Sequence, residues 1–444
     1  MTERLKSYNP ANGELVGEVA VTPITELPGV VIRAHAAGKK WCQFSLEQRG
    51  DLLKQAGQVL MQNANTLGQL LSDEMGKPVK NGISEVNFCG RAMAKKVDSI
   101  CAALQPEIDD SGPMETAIYY DALGVCAAIS PWNFPMSMPQ TMVIPALMAG
   151  NSVILKPSEE TPLIAQAYVD ALNQFLPPDV LQIVHGDGVQ GKALVKADVN
   201  LIAFTGSRAA GTHIMAQASH GLKRVMLELG GKDPLIVLDD ADIEQAAKLA
   251  VSNSFENAGQ ICVSTERIFV SETIATAFEQ RVAQLSADIT TGPMIHQRQR
   301  QHVLDQINSA VAQGARQICG PDEHPPRYVI PTVLADVNDD MDIMQSETFG
   351  PVACISRFSD IDEVIKRANN SDYALGAAVF GQDEDRAYAV ARQLTAGMIG
   401  VNKGCFASGD TPWVGAKQSG YGFHGSAAGH RQFAQVRVLS RFTK

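Results

Sequence analysis

The chain has 444 residues, 45% of them hydrophobic, and carries 37 Lys and Arg against 48 Asp and Glu, a formal charge of -11. At about 150 residues per unit this length predicts roughly three units, and so much apolar material excludes a disordered chain. The acidic balance lacks the basic surplus that phosphate-backbone binding requires, so nucleic acid is not an expected partner.

The opening stretch MTERLKSYNPANGELVGEV is polar and mixed in charge, without the apolar centre of a secretory signal. Apolar stretches such as MVIPALMAG (142–150) fall far short of the roughly 20 residues that cross a bilayer. No membrane partner is expected, and a cytoplasmic location is. From 52 to 75, Leu52, Leu53, Ala56, Val59, Leu60, Leu67, Leu70 and Leu71 recur at helical spacing, and Gly76-Lys77-Pro78 is a stop signal, which predicts one long amphipathic helix. Short β-branched runs at 124–129, 152–155, 181–184 and 201–204 alternate with helix-length segments, which predicts a parallel, doubly wound α/β sheet.

A second α/β series starts with a strand-like run at 235–238. A helix with Ile243, Ala246, Ala247, Ala250, Val251 and Ser254 on one face follows, then Gly259 and a strand-like run at 267–270. Cys262 therefore falls between a helix and a strand. The alternation continues to about residue 400, then a Gly-rich segment at 400–429 leads to a strand-like tail at 435–442. The eight cysteines, at 42, 89, 101, 126, 262, 319, 354 and 405, form no C-x-x-C pair, so neither a disulfide framework nor a metal site is expected.

Five segments place a chemically capable residue among residues that shape backbone: PWNFP (131–135), VILKPSEETP (153–162), LELGGKDP (227–234), ENAGQIC (256–262) and ETFGP (347–351). Together, between YNPANGE (8–14) and K-x-S-G-x-G (417–422), they resemble the NAD(P)-dependent aldehyde dehydrogenase superfamily in its hydrolytic, non-CoA-acylating branch. The resemblance implies an α/β fold of two doubly wound parallel-sheet domains plus a small β oligomerisation extension. It places a dinucleotide-binding domain at 1–107 and 123–229, with 408–431 returning to it, a catalytic domain at 230–407, and oligomerisation strands at 108–122 and 432–444. A homodimer or homotetramer follows from it.

A catalytic thiol needs access, a lowered pKa and a partner base. Gly259 and Gln260 are compatible with access, although a lone cysteine is more often a small buried hydrophobe. The resemblance implies that Cys262 is the nucleophile, that Asn133 donates to the developing oxyanion, and that Glu228 is the base for thioester hydrolysis. Otherwise Asn133 would form an Asx turn and Glu228 would be a surface glutamate. A carboxylate at 228 favours water over coenzyme A as acyl acceptor within the family.

No G-x-G-x-x-G turn follows a suitable strand. Gly206 and Ser207 instead sit where a strand gives way to a helix, a place suited to pyrophosphate. By resemblance Lys156 and Glu159 contact the adenosine ribose, Trp132 and Leu229 border the cofactor, and Glu347 and Phe349 meet the nicotinamide ribose and ring. A carboxylate at 159 repels a 2′-phosphate, so NAD is favoured, with NADP as the alternative.

Met136, Met138, Thr141, Ile261, Val263 and Trp413 are the expected substrate pocket. Thr141 stands where succinic semialdehyde branches carry an Arg, and Thr cannot pair with a distal carboxylate. The connection before GPMI (292–295) falls roughly ten residues short of the family's. The expected function is oxidation of an aldehyde to its acid with NAD through a Cys262 thiohemiacetal and thioester. The alternatives are a semialdehyde dehydrogenase using NADP and an NAD-independent thiol esterase.

Overall fold

The computed structural model describes residues 3–405 and 410–442, so the expected domain boundary at 407 and 408 lies outside the described residues, as do the outermost residues of the two terminal segments. The fold is α/β, built on two large sheets. In the first, the strands Leu181–Ile183, Ser152–Lys156, Val125–Ile129, Leu201–Thr205 and Arg224–Glu228 run parallel in that spatial order. The two-residue strand Gly420–Tyr421 adds antiparallel to Arg224–Glu228 at one edge. Val125–Ile129, Ser152–Lys156 and Leu201–Thr205 are buried at every position. That is why they read as continuous apolar runs rather than as an alternation: helices cover both faces.

The second sheet has the order Arg316–Cys319, Thr332–Ala335, Val352–Phe358, Thr265–Ser271, Asp233–Val237, Gly376–Phe380 and Met398–Val401. All its pairings are parallel except that of Arg316–Cys319. In the first sheet the chain order reverses beside Val125–Ile129, whose neighbours are Ser152–Lys156 and Leu201–Thr205, and the carboxyl ends of strands at such a reversal form a crevice. The PWNFP turn, Gly206-Ser207 and the LELGG segment all lie at carboxyl ends of this sheet. Cys262 and ETFGP precede the amino ends of Thr265–Ser271 and Val352–Phe358 in the second.

The expected long helix at 52–75 is two helices, Leu46–Gln62 and Ala64–Met75. Asn63 interrupts them: its amide donates back to the Val59 carbonyl at 2.8 Å, a local bond that competes with the helical ladder. Gly76 at φ +89 ends the second helix, as the stop signal predicts. After Pro78 comes the 25-residue helix Val79–Ala103, which packs on both.

A third, three-stranded antiparallel sheet stands apart. Ala434–Phe442 pairs along its whole length with Met114–Ala122, and Glu107–Asp109 pairs on the other side. Among the described residues no helix is long and apolar enough to cross a membrane.

Candidate active site

A cavity of about 760 Å³ opens where the two large sheets meet. Cys262 reaches it from a short connection after the helix Ile243–Phe255. Asn257, Ala258 and Gly259 are consecutively left-handed there, at φ +51, +57 and +68. Backbone of this kind persists only where surroundings enforce it. A Cβ on Gly259 would overlap the Gly350 carbonyl, so the nucleophile loop and ETFGP touch through backbone. Cys262 is partly exposed and packs beside Val263 and Trp413. Burial first, and then the charge of Glu228, push its thiol well above the usual range.

Asn133 lies in the PWNFP turn and is buried. Its Nδ2 donates to the Gln260 carbonyl at 3.0 Å, which joins the turn to the nucleophile loop. An amide nitrogen has two protons, so a second donor remains. Beneath the turn lies a buried ion pair that the sequence pattern did not reveal. Lys77 Nζ is 2.8 Å from Glu85 Oε2 and donates to the Asn133 carbonyl at 3.0 Å, while sitting 4.0 Å from the Phe134 ring centroid. Glu85 Oε1 accepts the backbone N–H groups of Met136 and Ser137 at 3.1 and 3.0 Å.

Glu228 ends the strand Arg224–Glu228 and is buried. Trp413 Nε1 donates to its Oε1 at 3.3 Å, and its Oε2 is buried without a hydrogen-bond partner. Burial raises its pKa, and the nearby Cys262, Trp413 and Thr205 side chains partly offset this. The two glycines that follow bring backbone close: a Cβ on Gly230 would overlap the Glu347 carboxyl, and one on Gly231 the Cys262 carbonyl.

Glu347 accepts the Gly231 N–H at 3.1 Å, and burial pushes its carboxyl up to about 8. A second buried pair fixes this segment. Glu266 accepts the N–H groups of Thr348 and Phe349, both at 2.8 Å, and Lys232 Nζ is 2.5 Å from Glu266 and 2.9 Å from the Thr348 hydroxyl. Phe349 meets Trp132 edge-on at 5.4 Å between centroids.

Trp132, Asn133, Met138, Gly206, Ser207, Glu228 and Leu229 line the cavity together with Ile261, Cys262, Val263, Glu347, Phe349 and Trp413. Ser207 caps the helix Arg208–Ala218 through its hydroxyl. Lys156 and Glu159, an ion pair at 3.3 Å, do not line this cavity. Lys156 is buried and Glu159 half exposed, farther along the carboxyl edge of the first sheet.

Two expectations for the substrate pocket need correction. Met136 is wholly buried in the core, and its backbone rather than its side chain serves the turn. Thr141 turns its hydroxyl to the Met138 carbonyl at 2.7 Å and does not line the cavity either. Asn81, Ser84 and Phe88 line it instead, from the helix Val79–Ala103. Their spacing of three and four residues on one helical face was the available signal. The short connection at 288–292 borders a second cleft of about 320 Å³, which shares Lys77, Asn81, Glu256 and Asn257 with the first.

A thiol, a carboxyl and a free amide proton therefore converge on one cavity, beside a helix amino end. The Aldehyde dehydrogenase family model matches residues 1–439. A probable succinate-semialdehyde dehydrogenase [NADP(+)] of Sinorhizobium fredii is 35% identical, over 98% of this chain and 92% of that protein. The crystal structure of an aldehyde dehydrogenase from Brucella melitensis biovar abortus superposes with a TM-score of 0.95 at 30% identity, over 100% of this chain and 94% of that one. A betaine aldehyde dehydrogenase point mutant from Staphylococcus aureus, in complex with NAD+, gives a TM-score of 0.94 at 28% identity, over 99% and 93%. This chain belongs to the aldehyde dehydrogenase family, whose members oxidise aldehydes with NAD or NADP.

Proposed function

We propose that Cys262 attacks the aldehyde carbon, that Asn133 Nδ2 and the Cys262 N–H receive the oxygen as it gains charge, and that Glu228 takes the proton of the water that hydrolyses the thioester. The observation that carries this reading is the convergence of Cys262, Glu228 and Asn133 on one cavity, each from a different segment of the chain. An oxyanion donor of the Asn133 kind is worth about 2.7 to 4 kcal/mol in other enzymes.

The dinucleotide, when bound, supplies the hydride acceptor. The residues present fit it. Ser207 and the first N–H groups of Arg208–Ala218 lie at the cavity wall and suit pyrophosphate, and Glu347 and Phe349 stand beside the nucleophile where a nicotinamide riboside would reach. Lys156 and Glu159 would hold the adenosine ribose. Glu159 disfavours a 2′-phosphate, which supports NAD over NADP.

The substrate side supports a neutral aldehyde. Among the described lining residues the basic groups are Lys77, paired with Glu85, and His302, whose Nε2 engages the Glu347 carbonyl at 3.0 Å. A distal carboxylate would find no free cation there. The same reading places the protein in the cytoplasm as a homodimer or homotetramer.

The test is NADH absorbance. Cys262→Ala should fold and produce none, whereas Glu228→Gln should give one burst of NADH and slow turnover afterwards. Full activity in the Cys262 variant would refute the assigned nucleophile. A panel of neutral and carboxylated aldehydes, run with both dinucleotides, tests the two preferences.

A further inference from the structure

Trp413 does more than wall the aldehyde pocket. It begins a two-residue strand, Trp413–Val414, that pairs antiparallel with Phe423–His424. Its ring stacks on His424 with centroids 6.3 Å apart and planes at 11°. Pairing and stacking together fix the indole. In that orientation its N–H points at Glu228 Oε1, 3.3 Å away, while the ring faces the same cavity as Cys262. Oε1 is thereby occupied. Oε2 is buried and without a hydrogen-bond partner among the described residues, with the Cys262 and Thr205 side chains close to the same carboxyl.

We propose that Trp413 is a positioning residue, whose indole N–H tethers one oxygen of Glu228 so that the other is presented to the water that hydrolyses the Cys262 thioester. This rests on the reading of Glu228 as base. It also means that one side chain touches both the aldehyde and the base. A side chain displaced at Trp413 would release the carboxylate as well as reshape the pocket.

Among the described residues the titratable groups facing Glu228 are Cys262 and Glu347, and Thr205 and Trp413 are neutral donors. A donor favours the charged carboxylate, so its loss raises the proton affinity of Glu228 further.

Trp413→Phe keeps an aromatic side chain but removes the indole N–H along with its five-membered ring. The smaller ring alters the pocket wall, so the burst of NADH is read at saturating aldehyde, where its amplitude should match the parent, since acylation and hydride removal precede the step at issue. Steady turnover should fall roughly tenfold, the size of one hydrogen bond to a charged group. The acidic limb of the steady-state pH profile should move to higher pH. Glu228→Gln, measured alongside, separates the two claims. If that variant turns over at full rate, the base assignment itself fails. If it stalls after a burst while Trp413→Phe keeps both its steady rate and its acidic limb, the tether is refuted. Equal loss of burst and steady rate in Trp413→Phe also refutes it, because the ring would then act on aldehyde binding alone.

Discussion

The surroundings of Cys262 disfavour its thiolate. Burial is the larger cause of its raised pKa, and the neighbouring carboxyls of Glu228, Asp233 and Glu347 add to it as they ionise. Alkylation of the free enzyme by iodoacetamide, followed residue by residue with mass spectrometry, should therefore speed up at Cys262 from about pH 6 to about pH 9 without levelling. Glu228→Gln removes one of those carboxyls, so the rate at a fixed pH should rise. A plateau near neutrality in the parent would show a resting thiolate instead. Cys262, Glu228 and Asn133 were legible in the sequence because each sits in a motif of its own, with glycines or prolines that shape the loop around it. Met136 and Thr141 were not. The helix Ser137–Met148 is buried at every position from Met142 onward, so its apolar pattern carries no phase that tells which side meets the cavity.

Two buried Lys–Glu pairs hold the loops that matter. Lys77–Glu85 anchors PWNFP, and Lys232–Glu266 anchors ETFGP. Neither was legible, because pairing depends on how separate elements meet. Lys77 read as part of a helix stop, and Glu85 lies two turns into the next helix. The interruption at Asn63 was hidden for the opposite reason, since the apolar period resumes on the same face beyond it. The strands were legible, with bounds off by a residue or two, since burial on both faces imposes a β-branched run. Removing one partner of the Lys77–Glu85 pair leaves an uncompensated charge at a site where both side chains are under 5% exposed. Lys77→Met or Glu85→Leu should each cost about 3–5 kcal/mol of stability. The double variant should cost less than the sum, since it leaves no orphan charge. Denaturant melts of the four proteins give the coupling, and additive losses would mean that the two side chains do not act as a pair. A slower NADH burst in the folded fraction of Glu85→Leu, with alkylation of Cys262 unchanged, would tie the pair to the turn rather than to the thiol.

The arrangement of the sheets explains why so many motifs from distant parts of the chain meet. Carboxyl ends of the first sheet bring the turn, the helix amino end and the base. Amino ends of the second bring the thiol and the ETFGP segment. The third sheet lies outside this logic and has a different problem. Among the described residues Ala434–Phe442 is an edge strand, paired with Met114–Ala122 and with no strand on its far side. Val436, Val438 and Phe442 share one face of it and are 48%, 61% and 80% exposed, with Leu439 exposed on the other. Proteins protect such edges with charge, with bulges or by covering them, because a bare apolar edge recruits other chains. Arg437 and Arg441 are spent on Asp121 and Glu115 of the neighbouring strand and do not guard the edge. A second copy of the chain is the partner that the proposed homo-oligomer supplies. Val436→Lys with Val438→Lys should therefore release a smaller species in light scattering coupled to size exclusion, without unfolding either large sheet, since both side chains point away from the two main cores. An unchanged mass in the double variant would place the subunit contact elsewhere, and a parent protein that elutes as a monomer would leave this strand bare in solution and refute the oligomer.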